Sequence, residues 1–468
     1  QCLQTLHSTA FMGKTGSFSL SVPETIAIHY VFVHLTIALW QKKGRERERV
    51  PVLAITITEK NNKEIFLKMS NYLKTISDPV HGFIKIPHEI LFKVIEHPYF
   101  QRLRRISQTG LLSLIFPGAT HTRFHHALGA MHLMFTALET LRLKGVEISE
   151  EEEKSVMLAI LLHDIGHGPY SHALESLLMA DWHHEKLSFL LMKKLNEEFS
   201  GEFSVALEMF QGKYYRKFFN QLISSQLDMD RLDYLKRDSF YTGVAEGNVN
   251  EQRIISMLNV YQDELVVDEK GIYSVEQYLT ARMFMYWQVY FHKGAVIAEH
   301  LLVKVLKRAK YLIGQGQRLE ASDNLKYFLY KTDFETATDE DIKRFTELDD
   351  NDVLQAIKLW ENENDFVLSY LCKTIIRRKF PKIISSPEQF EKGEISQKID
   401  RVNQYFGILE GEWLVDNIER KLLPYDERNP IVLFRKNKES IFLEKAQNQI
   451  LSANINKENN RFVLAFPR

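Results

Sequence analysis

The chain has 468 residues, 60 Lys+Arg against 61 Asp+Glu, and a formal net charge of -1. With 45% hydrophobic and 26% charged residues it falls in the globular range, which excludes wholesale disorder and a polytopic membrane protein, while the balanced charge excludes a basic nucleic-acid coat. Two cysteines, Cys2 and Cys372, allow neither a disulfide scaffold nor a cysteine-based zinc cluster. The first 68 residues read as an extension of uncertain structure. Within it Thr25–Trp40 is apolar but shorter than the ~20 residues of a membrane span, so a membrane role is not expected. Met69 stands as a natural start for the folded part.

From Asn71 the pattern is mainly helical. Apolar spacing predicts a helix over His88–Phe100, interrupted by Pro98 and resumed over Phe100–Ser107. Further helices are expected over Phe124–Leu143, Glu151–His163, His184–Leu195 and Ser225–Asp238. Tyr261–Ser274 alternates and reads as a β-hairpin turning at Asp268-Glu-Lys-Gly, and Ser274–Leu312 as a long helix or helix pair. Short strands are expected at Ile431–Phe434, Ser440–Leu443 and Phe462–Ala465. The fold class is therefore mainly α, with a small β-hairpin in a helical domain over 69–385 and a smaller α+β C-terminal domain over 386–468.

Nine of the 17 histidines lie between positions 121 and 184, and the sharpest feature among them is His163-Asp164 in LLHDIGHGPYSH. The pair ends an apolar helix, where an imidazole and a carboxylate can face one cation together. Gly166 and Gly168 permit a tight turn, after which Pro169 suits the start of another helix. Upstream lies HTRFHH (His121–His126), and downstream QLDMDRLDYLKRD (Gln226–Asp238), whose Asp228, Asp230 and Asp233 are too closely flanked by apolar residues all to be solvated. One His and one Asp from these segments complete a four-ligand set, His126, His163, Asp164 and Asp230. Its mixed N/O character suits a single divalent ion of Mn, Mg, Fe, Zn, Co or Ni. Arg102, Arg104 and Arg105 read as a basic helix face.

These segments, with DPVHGFIKI (Asp78–Ile86), FQRLRRISQTG (Phe100–Gly110) and HHE (His183–Glu185), resemble the HD-domain metal-dependent phosphohydrolases over about Asn71–Lys310. The deoxynucleoside triphosphate triphosphohydrolase branch is the most similar, here without the SAM domain some of its members carry. The resemblance implies an HD helical core and an enzyme that hydrolyses dNTPs, dGTP among them, to deoxynucleoside and tripolyphosphate. Another HD-type nucleotide phosphohydrolase or phosphodiesterase, or a non-catalytic nucleotide-sensing module, is the alternative.

By the same resemblance Asp164 with His167, His172 and His184 is catalytic, His184 and His172 forming the proton-transfer pair, with Glu185 placed to orient His184. Glu175 takes the place of a family Asp. Arg123, Gln108, Arg231, Tyr234, Asp238, Arg282 and Tyr290 match substrate-binding positions, while Thr109, Tyr286 and Phe291 depart from the family's residues. Arg123, Arg231, Lys236, Arg237 and Arg282 are expected to converge on a triphosphate. Lys74, Gln101 and Arg104 resemble a regulatory site for an activating nucleotide between subunits, which implies a homo-oligomer. The protein is expected to be cytoplasmic, with no strong signal for nucleic acid.

Overall fold

In the computed structural model, the described residues are 74–179, 182–334, 336–422, 425–437, 439–446 and 459–468. The expected N-terminal extension and its apolar run lie outside them. A hairpin of β1 (Lys74–Asp78) and β2 (Gly82–Ile86) leads into α1 (Glu89–Glu96) and a 3-10 turn at Arg102–Arg105. The core helices are α2 (Arg123–Leu143), α3 (Glu150–Leu162), α4 (His184–Glu198) and α5 (Met229–Thr242). Helix α2 packs on both α3 and α5. Ser149 and Glu152 form a reciprocal capping box that starts α3. From Val156 to Leu162 every residue of that helix is fully buried, which is why it reads as a continuous apolar run.

The hairpin expected after Tyr261 is present but shifted. Strand β3 (Leu258–Tyr261) pairs with β4 (Glu264–Asp268) through a turn at Gln262-Asp263, both residues having positive φ. Glu269–Gly271 is instead a 3-10 turn feeding α6 (Ile272–Met285). Alternation signalled the strands, and the glycine was a misleading cue because Asp, like Gly, tolerates the left-handed region. The long helix over Ser274–Leu312 is a pair, α6 and α7 (Lys293–Gly314), separated by one π-helical turn at Tyr286–Tyr290. After Asp164 no α-helix begins at Pro169: Tyr170 and Ser171 hold φ of 53° and 56°, and a 3-10 turn follows at Ser171–Ala173.

Farther along come α8 (Asp339–Thr346), α9 (Asp350–Trp360), α10 (Phe366–Ile376) and α11 (Lys392–Phe406). Strands β5 (Lys382–Ser386), β6 (Asp416–Leu422) and β9 (Asn459–Phe466) form one antiparallel sheet in the order β5-β9-β6. Strands β7 (Val432–Phe434) and β8 (Ser440–Phe442) extend the β3-β4 hairpin, β7 pairing parallel to β4 with Val267 opposite Leu433. The C-terminal strands are thus built onto the hairpin of the helical part, and the described residues belong to one compact unit. Among the described residues no helix is long and apolar enough to cross a membrane.

Candidate metal centre and pocket

His126 projects from the first turns of α2, His163 caps the C-terminus of α3, Asp164 follows it, and Asp230 stands in the first turn of α5. These elements bring donor atoms of His126, His163 and Asp164 within 4.8 Å of one another, with Asp230 approaching the two histidines. His126 Nε2 lies 3.0 Å from Asp230 Oδ1, 3.4 Å from His163 Nε2 and 3.6 Å from Asp164 Oδ2. His163 Nε2 is 3.5 Å from Asp230 Oδ1 and 3.4 Å from Asp164 Oδ1. Ligands held about 2.1 Å from one ion stand roughly 3.0–3.4 Å apart, so the spacing suits a divalent cation.

The outer contacts fit as well. His126 Nδ1 is 2.8 Å from Asp233 Oδ2, and His163 Nδ1 is 2.7 Å from the Ile160 carbonyl. Each ring therefore donates through Nδ1–H and presents the Nε2 lone pair to the cluster. Asp233, fully buried, also faces His81 Nε2 at 2.6 Å and accepts from Arg237 Nε and Nη2 at 2.9 Å. Burial alone would lower the His126 pKa, but its bonds to Asp230 and Asp233 push it up to about 10. The pocket of carboxylates thus demands positive charge where the ion would sit. His81 had no assigned task in the sequence, and its partner lies 152 positions away.

The turn carrying His163-Asp164 is clamped from three sides. Ser188 of α4 donates to the His163 carbonyl at 2.7 Å and accepts from Gly166 N–H at 2.9 Å. Arg102 donates to the Ile165 carbonyl at 2.8 Å and to the Leu348 carbonyl at 3.2 Å. The expected basic face is corrected at one residue: Arg102 is buried, while Arg104, stacked on Phe124, and Arg105, paired with Asp349, stay at the surface. Asp350 accepts from Tyr170 N–H and Ser107 N–H at 2.7 and 2.8 Å, holding the left-handed residues that follow the turn.

Beside the four donors lies a second group. Nδ1 of His167, His172 and His184 each stand 3.1 Å from Glu175 Oε1, although none of the three approaches has hydrogen-bond alignment. His167 and His184 stack at 4.0 Å. His167 is buried, with Nε2 3.4 Å from Asp164 Oδ1. Burial, reinforced by the charge of Arg123, lowers its pKa to about 3, so the ring is neutral. The orienting carboxylate is Glu175 rather than Glu185, which is exposed. Glu185 is the sequence neighbour, but on a helix adjacent side chains diverge by about 100°.

Both groups open into a cavity of about 390 Å³. Arg123, Asp164, Asp230, His167, His172 and His184 line one part of it, and Gln108, Thr109, Tyr234, Asp238, Tyr286 and Tyr290 another. Arg123 contacts Asp164 and donates to Ser171 Oγ at 2.7 Å. Asp238 is held by His121 Nε2 and by the Tyr290 hydroxyl, each at 2.6 Å. Arg231 and Arg282 are not in the wall. Arg231 pairs with Asp228, whereas Arg282, near Tyr286, keeps Nε and Nη1 buried with no hydrogen-bond partner among the described residues. Of the five cations expected to converge, only Arg123 lines the cavity: Arg231 and Arg282 stand outside its wall, Lys236 pairs with Glu251, and buried Arg237 serves Asp233 and Asp78.

The candidate regulatory residues are engaged locally. Lys74 Nζ sits 3.0 Å from the centroid of the Phe92 ring, and Gln101 links the Ile95 carbonyl at 2.7 Å to Arg104 Nε at 2.8 Å.

The family profile "HD domain" matches residues 123–238 and "HD associated region" matches 249–416. A crystal structure of a phosphohydrolase from Bacteroides thetaiotaomicron superposes with a TM-score of 0.82 at 43% identity, covering 85% of this chain and all of that one. The uncharacterized protein YwfO of Bacillus subtilis is 32% identical over 78% of this chain and 85% of its own length. A deoxynucleoside triphosphate triphosphohydrolase SAMHD1 homolog from Dictyostelium discoideum is 28% identical over 76% of this chain and 70% of its own. The HD match begins at Arg123 and ends at Asp238, so it spans all four donors and both carboxylate hubs, and the chain belongs to the HD-domain phosphohydrolases.

Proposed function

We propose that the protein hydrolyses deoxynucleoside triphosphates, dGTP among them, to deoxynucleoside and tripolyphosphate. The observation that carries the reading is the meeting of the His126, His163 and Asp164 donors, with Asp230 beside them, and a triad of imidazoles at one cavity whose remaining wall mixes aromatic, polar and aliphatic side chains. Similarity to the Dictyostelium enzyme supports the substrate class. His126, His163, Asp164 and Asp230 would hold one divalent ion. Bound there, such an ion supplies Lewis-acid polarisation of a phosphoryl oxygen and lowers the pKa of water.

The remaining roles belong to the chain's own groups. Arg123 neutralises substrate phosphate from the cavity wall, and the unpartnered guanidinium edge of Arg282, with Arg231 nearby, adds positive potential behind it. Water attacks the α-phosphorus as the Pα–O5′ bond breaks, and the 5′ oxygen takes a proton. His184 and His172 are the proton-transfer pair: with Nδ1 turned to Glu175, each leaves Nε2 to serve as base or acid. His167, neutral and buried, steadies Asp164 and the stacked ring of His184. Gln108, Tyr234, Asp238 and Tyr290 hold the sugar, while Lys74, Gln101 and Arg104 form the site of an activating nucleotide in a homo-oligomer.

The test is a panel of dNTPs, NTPs and cyclic nucleotides with added Mn or Mg, with products read by mass. Tripolyphosphate from dNTPs supports the reading. Cleavage of cyclic nucleotides alone makes the protein a phosphodiesterase, and binding of nucleotides with no turnover of any of them makes it a sensing module.

A further inference from the structure

Asp350 is the first residue of α9, yet its carboxylate serves two distant stretches of chain. Oδ1 accepts from the Tyr170 N–H at 2.7 Å and Oδ2 from the Ser107 N–H at 2.8 Å. Tyr170 and Ser171 are consecutive left-handed residues with side chains, a strained arrangement that persists only where its surroundings enforce it. Ser171 uses its hydroxyl twice, donating to the Ser107 carbonyl at 3.0 Å and accepting from Arg123 Nε at 2.7 Å. Ser107 also forms a β-bridge with Thr122, and the adjoining Ile106 carbonyl accepts from the Arg123 N–H at 3.0 Å. The one carboxylate therefore ties together the stretch that holds Arg123 by its backbone and the turn that holds it by its side chain.

Arg123 is buried and lines the cavity beside Asp164, His167 and Asp230. Its guanidinium is planar, so a bond at Nε sets the plane and heading of the fork. Among the described residues α9 supplies nothing to the cavity wall, so Asp350 reaches substrate only through this chain of contacts. We infer that Asp350 is a positioning residue: by holding the Tyr170–Ser171 turn against Ser107, it lets Ser171 aim the Arg123 guanidinium at phosphate in the cavity. The inference rests on the reading of Arg123 as the phosphate-binding group above and adds the residue, from outside the pocket, that sets its direction. An asparagine at this position keeps the volume but turns an NH2 donor toward one of the two N–H groups, which leaves that N–H unpaired and frees the turn on one side.

The experiment is a double-substitution cycle in the full-length, metal-supplemented protein, read as calorimetric affinity for inorganic tripolyphosphate, which carries phosphates without a nucleoside. Asp350→Asn should weaken binding about tenfold and Arg123→Ala about a hundredfold, both with helical circular dichroism retained. Adding Asp350→Asn to Arg123→Ala should cost nothing further, because the group that it positions is gone. An equal loss in both backgrounds makes Asp350 a general anchor of the fold and overturns the inference, as does unchanged affinity in Asp350→Asn alone. If the asparagine variant fails to fold, the same cycle is run with Asp350→Glu, which keeps both acceptor oxygens but shifts them by a methylene, and the same outcomes decide. If dGTP is not hydrolysed while the cycle gives the expected result, the functional reading fails and the positioning role stands. If the unmodified protein does not bind tripolyphosphate, the positioning role fails, whatever dGTP hydrolysis shows.

Discussion

His126 Nε2 and Asp230 Oδ1 stand 3.0 Å apart although the two residues are more than a hundred positions apart in the chain. Removing either Asp164 or His126 takes away a donor and leaves the others too few, so Asp164→Ala and His126→Ala should bind less than a tenth of the wild-type metal and lose turnover while keeping their helical circular dichroism. Metal analysis beside a rate assay checks both. Glu175 separates the second group from the first. Glu175→Gln keeps the volume but removes the negative charge that faces three Nδ1 atoms, so turnover should fall about 10–100-fold with metal content unchanged. Loss of metal in that variant would make the imidazole group part of the metal site.

What was legible at this scale was chemistry between chain neighbours. The His163-Asp164 pair and the carboxylate crowding around Asp230 could be read because each is a property of chain neighbours, whereas joining His126 and Asp230 to the pair leaned on the family resemblance. The supporting residues could not. Asp233 meets His81 across the packing of the hairpin on α5, Glu175 meets three imidazoles from two turns and a helix, and Arg102 looks like a surface cation until α9 and the His163-Asp164 turn enclose it. Partnership of that kind is created by tertiary contacts, which no spacing in the sequence encodes.

Among the elements, the sequence pattern located α2, α3 and α4 to within a few residues: α4 buries one face at the helical period, whereas α2 and α3 are helix-length apolar runs buried nearly all round. It failed where backbone departs from that period. The π turn at Tyr286–Tyr290 is invisible in an apolar helix, yet it places Tyr286 and Tyr290 in the cavity wall. Close approach of elements is equally specific. A Cβ on Gly166 would collide with the backbone of His184 and Ser188 at the start of α4. Gly166→Ala should therefore cost about 1–3 kcal/mol in chemical denaturation and reduce turnover, because relief of the clash displaces His184.

Helix α8 offers a titration test remote from the site. Asp341 is fully buried and accepts from Lys331 at 2.6 Å, Tyr327 at 2.8 Å and Thr338 at 2.6 Å. Burial opposes its charge, but these bonds prevail and lower the carboxyl from 3.8 to about 2. A depressed carboxylate stabilises the fold above its unfolded pKa and stops doing so as pH falls through its folded one. The contribution, about 2 kcal/mol, should be complete above pH ~4 and vanish near pH 2. Asp341→Asn should accordingly melt lower than wild type at pH 7, with the gap closing across that acid window.

At the scale of the whole molecule, the α+β region after 386 is joined to the helical part through β7 on β4, and β5 pairs with β9 from the far end of the chain. Three short strands, β7, β8 and β9, were legible there, but β5 and β6 were not expected and no partners could be read, because strand pairing depends on packing over long sequence separations. The central claim concerns the bond the assembled site breaks. Incubating the full-length, metal-supplemented protein with dGTP in ¹⁸O-labelled water and weighing the products tests it most directly. Attack at the α-phosphorus yields unlabelled deoxyguanosine and tripolyphosphate carrying one ¹⁸O. Release of orthophosphate or pyrophosphate with a deoxynucleotide, or label in the deoxyguanosine, would contradict the account.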